Sequence, residues 1–128
     1  MSCDMNGPHA GRVVLITGAG GGVGRGYAML FAMGGAKVMV NDLKKGVSSG
    51  AGAVDIGARE GAGQETRLVA DGDNVVAEII ALGGIASANY DDVSDWAGAE
   101  NMINQTIEEF GDINVLICNA GILRDRTM

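Results

Sequence analysis

A cluster of glycines joins a short apolar run to a segment with helical periodicity near the start of the chain. Residues 12–17 (RVVLIT) form a β-branched run, which is typical of a buried parallel strand. The sequence GAGGGVG follows at residues 18–24, and the apolar positions after it have helical spacing: Tyr27, Leu30, Phe31 and Ala32. A strand, a glycine-rich turn and a helix in this order predict a nucleotide-binding βαβ unit.

Three glycines of this turn have distinct predicted roles. Gly18 permits a tight turn after the strand, Gly22 lets a pyrophosphate approach the backbone, and Gly24 lets the helix pack closely on the strand. The free N–H groups and the positive dipole end of the helix, which starts at about Val23, would face the phosphates. No Lys-Ser/Thr pair follows the glycines, which argues against a Walker loop. A glycine-rich loop with a purely structural role is the alternative.

An acidic residue follows the second predicted strand, residues 37–41 (KVMVN). Asp42 lies about 18 residues beyond Gly24, close to the offset of the carboxylate that holds the ribose hydroxyls of NAD. Its charge would repel the 2′-phosphate of NADP, although Lys44 and Lys45 could soften that preference. The alternative is a solvated aspartate that opens a turn.

The rest of the chain continues the alternation of strands and helices. A Gly/Ala-rich insertion occupies about residues 43–73, with a short helix predicted around residues 53–60. Asp73 or Asn74 is predicted to cap a helix that ends at Leu82. A third strand follows at residues 85–90. Four apolar side chains of this helix are expected to face the sheet: Val75, Val76, Ile79 and Ile80.

The last predicted helix and strand complete an α/β pattern. Ser94 is expected to cap a helix that runs to Phe110, and residues 114–119 form the fourth strand. One apolar stripe of that helix consists of Trp96, Ala99, Ile103, Ile107 and Phe110. The order β-α-β-α-β-α-β predicts a Rossmann-type doubly wound parallel sheet, and right-handed crossovers give the strand order 3-2-1-4.

The chain is organised as one domain after a short leader. Residues 1–10 are predicted to be a flexible leader, and residues 11–128 to be the NAD-binding part of a Rossmann domain. The sequence stops directly after the fourth strand and a turn. We therefore expect a truncated domain that holds the first four strands of the fold.

Charge and composition exclude several classes of function. The net charge of −7 disfavours binding to nucleic acid. No apolar stretch is long enough to cross a bilayer, so no membrane contact is expected. Two isolated cysteines fit a reducing compartment such as the cytoplasm. No Cys/His/carboxylate cluster has metal-ligand spacing, so no metal site is expected, and His9 in the leader suggests no histidine relay.

Three motifs in order resemble the short-chain dehydrogenase/reductase family. Residues 17–24 match its TGxxxGxG loop, Asp92-Val93 matches the acidic-Val pair after the third strand, and residues 119–121 match its NAG motif. The resemblance covers nearly all of the chain from Gly11 onward. Two positions depart from the family pattern: Cys118 stands where an Asn is usual, and Asn114 where an Asp is often found.

The resemblance implies roles for five residues. Asp92 and Val93 would contact the adenine, with the carboxylate accepting from its amino group. Asn119, Ala120 and Gly121 would line the middle of the cofactor and brace the fourth strand. The family's Ser, Tyr and Lys follow that strand, and this chain ends before them, so no catalytic residue is assigned to it.

A narrower similarity indicates a substrate. The strings GRVVLITGAGGGVGRGYAMLFA, VNDL, ANYDDV and NAGILRDR are similar to one branch of the family. That branch contains the 3-hydroxyacyl-CoA dehydrogenase unit of the peroxisomal multifunctional β-oxidation enzyme and its bacterial relatives. It implies the oxidation of (3R)-hydroxyacyl-CoA to 3-ketoacyl-CoA with NAD, a homo-oligomer, and a peroxisomal location in a eukaryote. The alternatives are another short-chain ketoreductase and a non-catalytic NAD-binding module.

Overall fold

Residues 2–43 and 72–119 are described by the computed structural model of the protein, and they contain four parallel strands and three helices. The strand order is β3-β2-β1-β4, and the predicted Rossmann-type topology is confirmed. Most of the insertion predicted at residues 43–73 lies outside the described residues. The elements are β1 (Val13–Ile16), α1 (Gly22–Met33), β2 (Lys37–Asn41), α2 (Gly72–Ala81), β3 (Ile85–Asn89), α3 (Trp96–Phe110) and β4 (Val115–Ile117).

The strand β1 is buried on both faces of the sheet. Val14 and Ile16 pack into the cluster that contains the buried side chains of α1 and α2. Leu15 points to the opposite face and packs with Met39 and Met102, the latter on α3. Because side chains alternate along a strand, helices on both faces require a continuous apolar run. The run in residues 12–17 therefore reflects a central strand.

Small residues form the side of α1 that faces the sheet. The buried positions are Gly24, Ala28 and Ala32, spaced by four residues. Tyr27 and Leu30 lie on the exposed side, with 39% of Tyr27 accessible to solvent. The start of the helix lies too close to the loop after β1 for a larger side chain, since a Cβ on Gly24 would lie 2.3 Å from the carbonyl oxygen of Gly18.

The cap of α3 differs from the predicted one. Asp95 is the N-cap, and its carboxylate accepts a hydrogen bond of 3.1 Å from the backbone N–H of Gly98. The hydroxyl of Ser94 instead donates to the carboxylate of Asp92, at 2.7 Å. Both residue types are good N-caps, and the hydrogen bond between Ser94 and Asp92 leaves the capping position to the next residue.

Most of the apolar stripe predicted for α3 faces away from the sheet, whereas Phe110 at its end packs against the cluster that contains Leu15. Trp96 is 84% exposed, and Ile103 and Ile107 are also exposed. The buried positions are Gly98, Met102 and Thr106. Here too a close approach selects small residues, because a Cβ on Gly98 would lie 2.4 Å from the carbonyl oxygen of Asp92. Thr106 is compatible with burial because its hydroxyl donates to Met102 O at 2.8 Å.

The helix α2 follows the predicted pattern in part. Val75 and Ile79 are buried, as expected, whereas Ile80 is exposed. The helix begins at Gly72, so Asp73 belongs to its first turn and is not its cap. A carboxylate in the first turn is still favourable, because it faces the positive end of the helix dipole.

The segment before β1 lies against the C-terminal ends of two helices. The backbone N–H of Cys3 donates to Leu82 O at 2.7 Å, at the end of α2. The N–H groups of Asp4 and His9 donate to Met33 O and Gly34 O, both at 2.8 Å, at the end of α1. The last carbonyl groups of a helix have no partner within the helix. The residues predicted to be a flexible leader therefore supply donors to these carbonyls.

Gly26 offers a test of helix α1 that is independent of the ligand. It lies on the exposed side of the helix, and an added Cβ would meet no atom within 4 Å. The substitution Gly26→Ala is expected to raise the free energy of unfolding by about 0.5–1 kcal/mol, because alanine loses less backbone entropy in a helix. Denaturant unfolding of the intact protein measures this. An unchanged or lower stability would mean that this side of α1 is covered.

Candidate nucleotide-binding site

The loop between β1 and α1 contains two glycines with positive φ. Gly18 has a φ of 63° and Gly22 a φ of 57°, both in the left-handed region that favours glycine. The N-cap residue Gly21 supplies no side-chain cap, and the first turn of α1 contains no acidic residue. A Cβ on Gly22 would meet nothing within 4 Å. Open space therefore lies beside uncapped N–H groups, which is the environment that a phosphate prefers.

The end of β4 is bonded to this loop through Thr17 and Asn119. The backbone N–H of Asn119 donates to Thr17 Oγ1 at 2.9 Å, and its side-chain Nδ2 donates to Gly18 O at 3.1 Å. The N–H of Thr17 donates to Ile117 O at 3.0 Å. Gly24 lies directly beneath, since its Cβ would be 2.5 Å from Asn119 Nδ2. The loop, the helix and the last strand are thus packed as one unit.

Asp42 is bonded to the glycine loop. Its Oδ2 accepts from the backbone N–H of Gly20 at 2.9 Å, and its Oδ1 accepts from the N–H of Leu43 at 2.8 Å. The adjacent backbone supports this contact, because Ala19 N donates to Asn41 O at 2.8 Å. The acidic residue after β2 therefore lies beside the loop, although the two are far apart in sequence.

Arg25, which follows Gly24, has its charge partnered with a carboxylate. Its Nε donates to Glu78 Oε1 at 3.0 Å and its Nη2 donates to Glu78 Oε2, which joins α1 to α2. The hydrogen bonds to Glu78 raise the pKa of Arg25. Both side chains are about two-fifths exposed, so the pair contributes little to stability. The pair holds the guanidinium of Arg25 against α2.

Asp92 and Val93 follow β3 at the same edge of the sheet. Asp92 Oδ1 accepts from the hydroxyl of Ser94 at 2.7 Å and from its backbone N–H at 2.9 Å. These bonds, chiefly the one from the hydroxyl, lower the pKa of Asp92. Val93 packs partly against the cluster of Leu15, Met39 and Met102. An exposed ionised carboxylate thus stands beside a fixed apolar side chain.

Two buried asparagines at this edge were missed by the sequence analysis. Asn41 and Asn89 end β2 and β3, are paired in register, and are each 2% exposed. Asn41 Nδ2 donates to Asn89 Oδ1 at 2.8 Å. No local signal marked them, because their burial depends on the register of β2 with β3. Buried amides of this kind require partners, and these two partner each other.

The predicted site residues therefore meet at the carboxyl edge of the sheet. The loop ends β1, Asp42 follows β2, Asp92 and Val93 follow β3, and Asn119 follows β4. Ligands of open α/β sheets bind at this edge, where the strand order reverses, here between β1 and β4. The predicted positions Ala120 and Gly121, and the basic pair Lys44 and Lys45, lie outside the described residues.

Across residues 2–43 and 72–119, no group of three or more His, Cys, Asp or Glu side chains is arranged to hold a metal ion. Within those ranges, no helix has the length and apolar character needed to cross a membrane.

A family model and relatives that are similar in sequence indicate the same family for this chain. A family model described as short chain dehydrogenase matches residues 58–128. A short-chain type dehydrogenase/reductase of Mycobacterium tuberculosis is 47% identical over 91% of this chain and 35% of its own length. The peroxisomal multifunctional enzyme type 2 of Mus musculus is 46% identical over 91% of this chain and 14% of its own. The chain spans about a third or less of the length of these relatives.

Solved structures agree with the sequence relatives. A short chain dehydrogenase from Mycobacterium avium superposes with a TM-score of 0.69 at 42% identity, covering 92% of this chain and 36% of that one. A 7α-hydroxysteroid dehydrogenase in complex with NADH has a TM-score of 0.60 at 29% identity, covering 83% of this chain and 32% of that one. Both similarities extend over most of this chain.

Proposed function

Because this chain belongs to the short-chain dehydrogenase family, we propose that it binds NAD for an oxidoreductase that converts a secondary alcohol to a ketone. The observation that carries the proposal is the bond between Asp42 and the N–H of Gly20. It brings a carboxylate suited to ribose hydroxyls next to a loop suited to phosphates, and these groups are adjacent in a nucleotide.

Each part of NAD has a group of residues that fits it. The pyrophosphate would lie against the open space at Gly22 and the N–H groups of the first turn, which includes Val23 and Gly24. Asp42 would accept from the ribose hydroxyls, and Asp92 and Val93 would contact the adenine. Asn119, with Ala120 and Gly121 after it, would line the middle of the cofactor. When bound, NAD accepts the hydride of the alcohol.

Charge favours NAD over NADP. A 2′-phosphate would stand beside the Asp42 carboxylate, and like charges in a partly buried site repel. Arg25, the basic residue closest in sequence to the loop, already has its charge partnered by Glu78. The NADH complex of the similar 7α-hydroxysteroid dehydrogenase supports the use of this cofactor.

The substrate class is proposed from similarity alone. The identity of 46% to a peroxisomal multifunctional enzyme favours a (3R)-hydroxyacyl-CoA, oxidised to the 3-ketoacyl-CoA in fatty acid metabolism. A homo-oligomer located in the cytoplasm, or in the peroxisome of a eukaryote, is part of the same proposal. The general base is not assigned to these residues, because Tyr27 and Tyr90 have Phe31 and Ser94, not lysine, one turn later.

The intact protein incubated with NAD and a (3R)-hydroxyacyl-CoA is expected to form NADH, followed by its absorbance. The (3S) epimer serves as the matched control and is expected to react at least about 100-fold more slowly, because hydride transfer requires one fixed orientation. Turnover of other secondary alcohols but not of the thioester would support a different ketoreductase. NAD binding without any turnover would support a non-catalytic module.

A further inference from the structure

Side-chain amides connect the carboxyl ends of β2 and β3 to helix α3. We define the amide cluster as Asn41, Asn89, Asn101 and Gln105. The first three bond to Asp91, and Gln105 bonds to Asn89. Asn41 Nδ2 donates to Asn89 Oδ1 at 2.8 Å and to the backbone carbonyl of Asp91 at 3.0 Å. Asp91 is thereby bonded to the last residue of β2, the strand that Asp42 follows.

Asn89 uses its whole hydrogen-bonding capacity in this cluster. Its Oδ1 accepts from Asn41 and from the backbone N–H of Asp91, the latter at 3.0 Å. Its Nδ2 donates to Asp91 Oδ2 and to Gln105 Oε1, both at 2.7 Å. A side-chain amide has two donors and two acceptor lone pairs, so none remains. The backbone N–H of Asp91 can only donate, which fixes the orientation of the amide.

Helix α3 reaches the same aspartate from the other side. Asn101 Nδ2 donates to Asp91 Oδ2 at 2.8 Å, and Gln105 Nε2 donates to Ala88 O at 3.1 Å. Asn101 and Gln105 are four residues apart and so share one face of the helix. Asp91 is therefore held through its N–H, its carbonyl and its carboxylate by residues of β2, β3 and α3.

Asp91 directly precedes the two residues that we propose for the adenine, Asp92 and Val93. The first turn of α3 packs on this segment, since a Cβ on Gly98 would lie 2.4 Å from Asp92 O. Asn89 is buried and fully bonded, so any other geometry of its amide would leave a polar group unpaired. We infer that the amide cluster positions the adenine-binding segment, with Asn89 and Gln105 as positioning residues. This inference rests on the proposed function.

The test compares variants of the intact protein by calorimetric titration with NAD and with ADP-ribose, which carries the adenine half. Gln105→Met preserves the length of the side chain but removes its amide, and is expected to raise both dissociation constants about tenfold. Asn89→Leu is expected to raise them at least as much. In steady-state assays the KM for NAD should rise while kcat at saturating NAD stays within about twofold, because the reacting groups are unchanged.

Asn114→Leu is the matched control. Asn114 Oδ1 accepts from the N–H of Val13 at 2.7 Å, at the opposite edge of the sheet. The substitution should lower stability and leave both dissociation constants unchanged. Equal affinities in wild type and a folded Gln105→Met would overturn the inference, as would an equal weakening by Asn114→Leu. If Asn89→Leu does not fold, the dissociation constants of Gln105→Met alone test the inference. Failure of the wild type to bind NAD would instead overturn the proposed function.

Discussion

The substitution Gly24→Val is expected to weaken NAD binding by at least about 100-fold and to lower the free energy of unfolding by about 1–3 kcal/mol. The new Cβ would lie 2.3 Å from Gly18 O and 2.9 Å from Ala19 Cα, which are backbone atoms of the loop itself. Neither can move aside without displacing the turn that is proposed to hold the pyrophosphate. Titration of the intact protein with NAD, together with denaturant unfolding, measures both effects.

Two other glycines separate damage to the fold from loss of the ligand. At Gly22 an added Cβ would meet nothing within 4 Å, so Gly22→Val costs mainly the strain of a left-handed conformation, about 1–2 kcal/mol. It should nevertheless weaken NAD binding strongly, because the side chain would occupy the space proposed for the phosphates. Gly26→Ala should leave the affinity unchanged. A folded Gly24→Val or Gly22→Val protein with normal affinity would show that this loop does not hold the phosphates.

The arrangement of the sheet followed from the sequence because it depends on local signals. Alternating strands and helices with right-handed crossovers allow few topologies, and the observed order β3-β2-β1-β4 is the predicted one. The predicted bounds of β2 match those of the structure, since Gly34-Gly35 and Asp42 delimit an apolar run. The same local pattern brought Asp42 to the glycine loop, which the bond to Gly20 shows.

The pattern of apolar residues did not predict which face of helix α3 packs on the sheet. Helix α3 carries two stripes, an apolar one with Trp96 and Ile103 and one of smaller residues with Gly98 and Thr106. The distance between helix and sheet selects the second, and that distance depends on contacts such as Gly98 against Asp92 O. The periodicity of apolar residues predicts where the helix lies in the sequence. Close packing between distant segments determines which of its faces is buried.

The amide cluster illustrates a second limit. Asn41 and Gln105 are each unremarkable in sequence, and a polar residue at the end of a strand is usually solvated. The burial of Asn41 depends on the register of β2 with β3, and the bond from Asn89 to Gln105 depends on the position of α3. Long-range pairing of this kind has no local signature.

The substitution Asp42→Asn is expected to weaken NAD binding about tenfold and to reduce the preference for NAD over NADP. The carboxylate accepts from two backbone N–H groups, those of Gly20 and Leu43. An asparagine has one oxygen, so its amide nitrogen would face one of these donors and disturb the loop. Removal of the charge also removes the repulsion toward a 2′-phosphate.

Asp112→Asn controls for the change in net charge. Asp112 Oδ1 accepts from the N–H of the next residue, Ile113, at 2.7 Å, as Asp42 Oδ1 does from Leu43. It precedes β4 and so lies at the edge of the sheet opposite the proposed site. Its affinities for both cofactors should equal those of the wild type. A similar loss of NAD affinity in both variants would indicate a general effect of charge.

Titration of the intact wild-type protein with NAD and with NADP tests most directly the claim that Asp42 and the glycine loop form one NAD site. We expect NAD to bind at least about tenfold more tightly, a difference of about 1.4 kcal/mol that a partly screened like charge can supply. Equal or tighter binding of NADP would contradict the assignment of Asp42 to the ribose, and binding of neither would contradict the site itself.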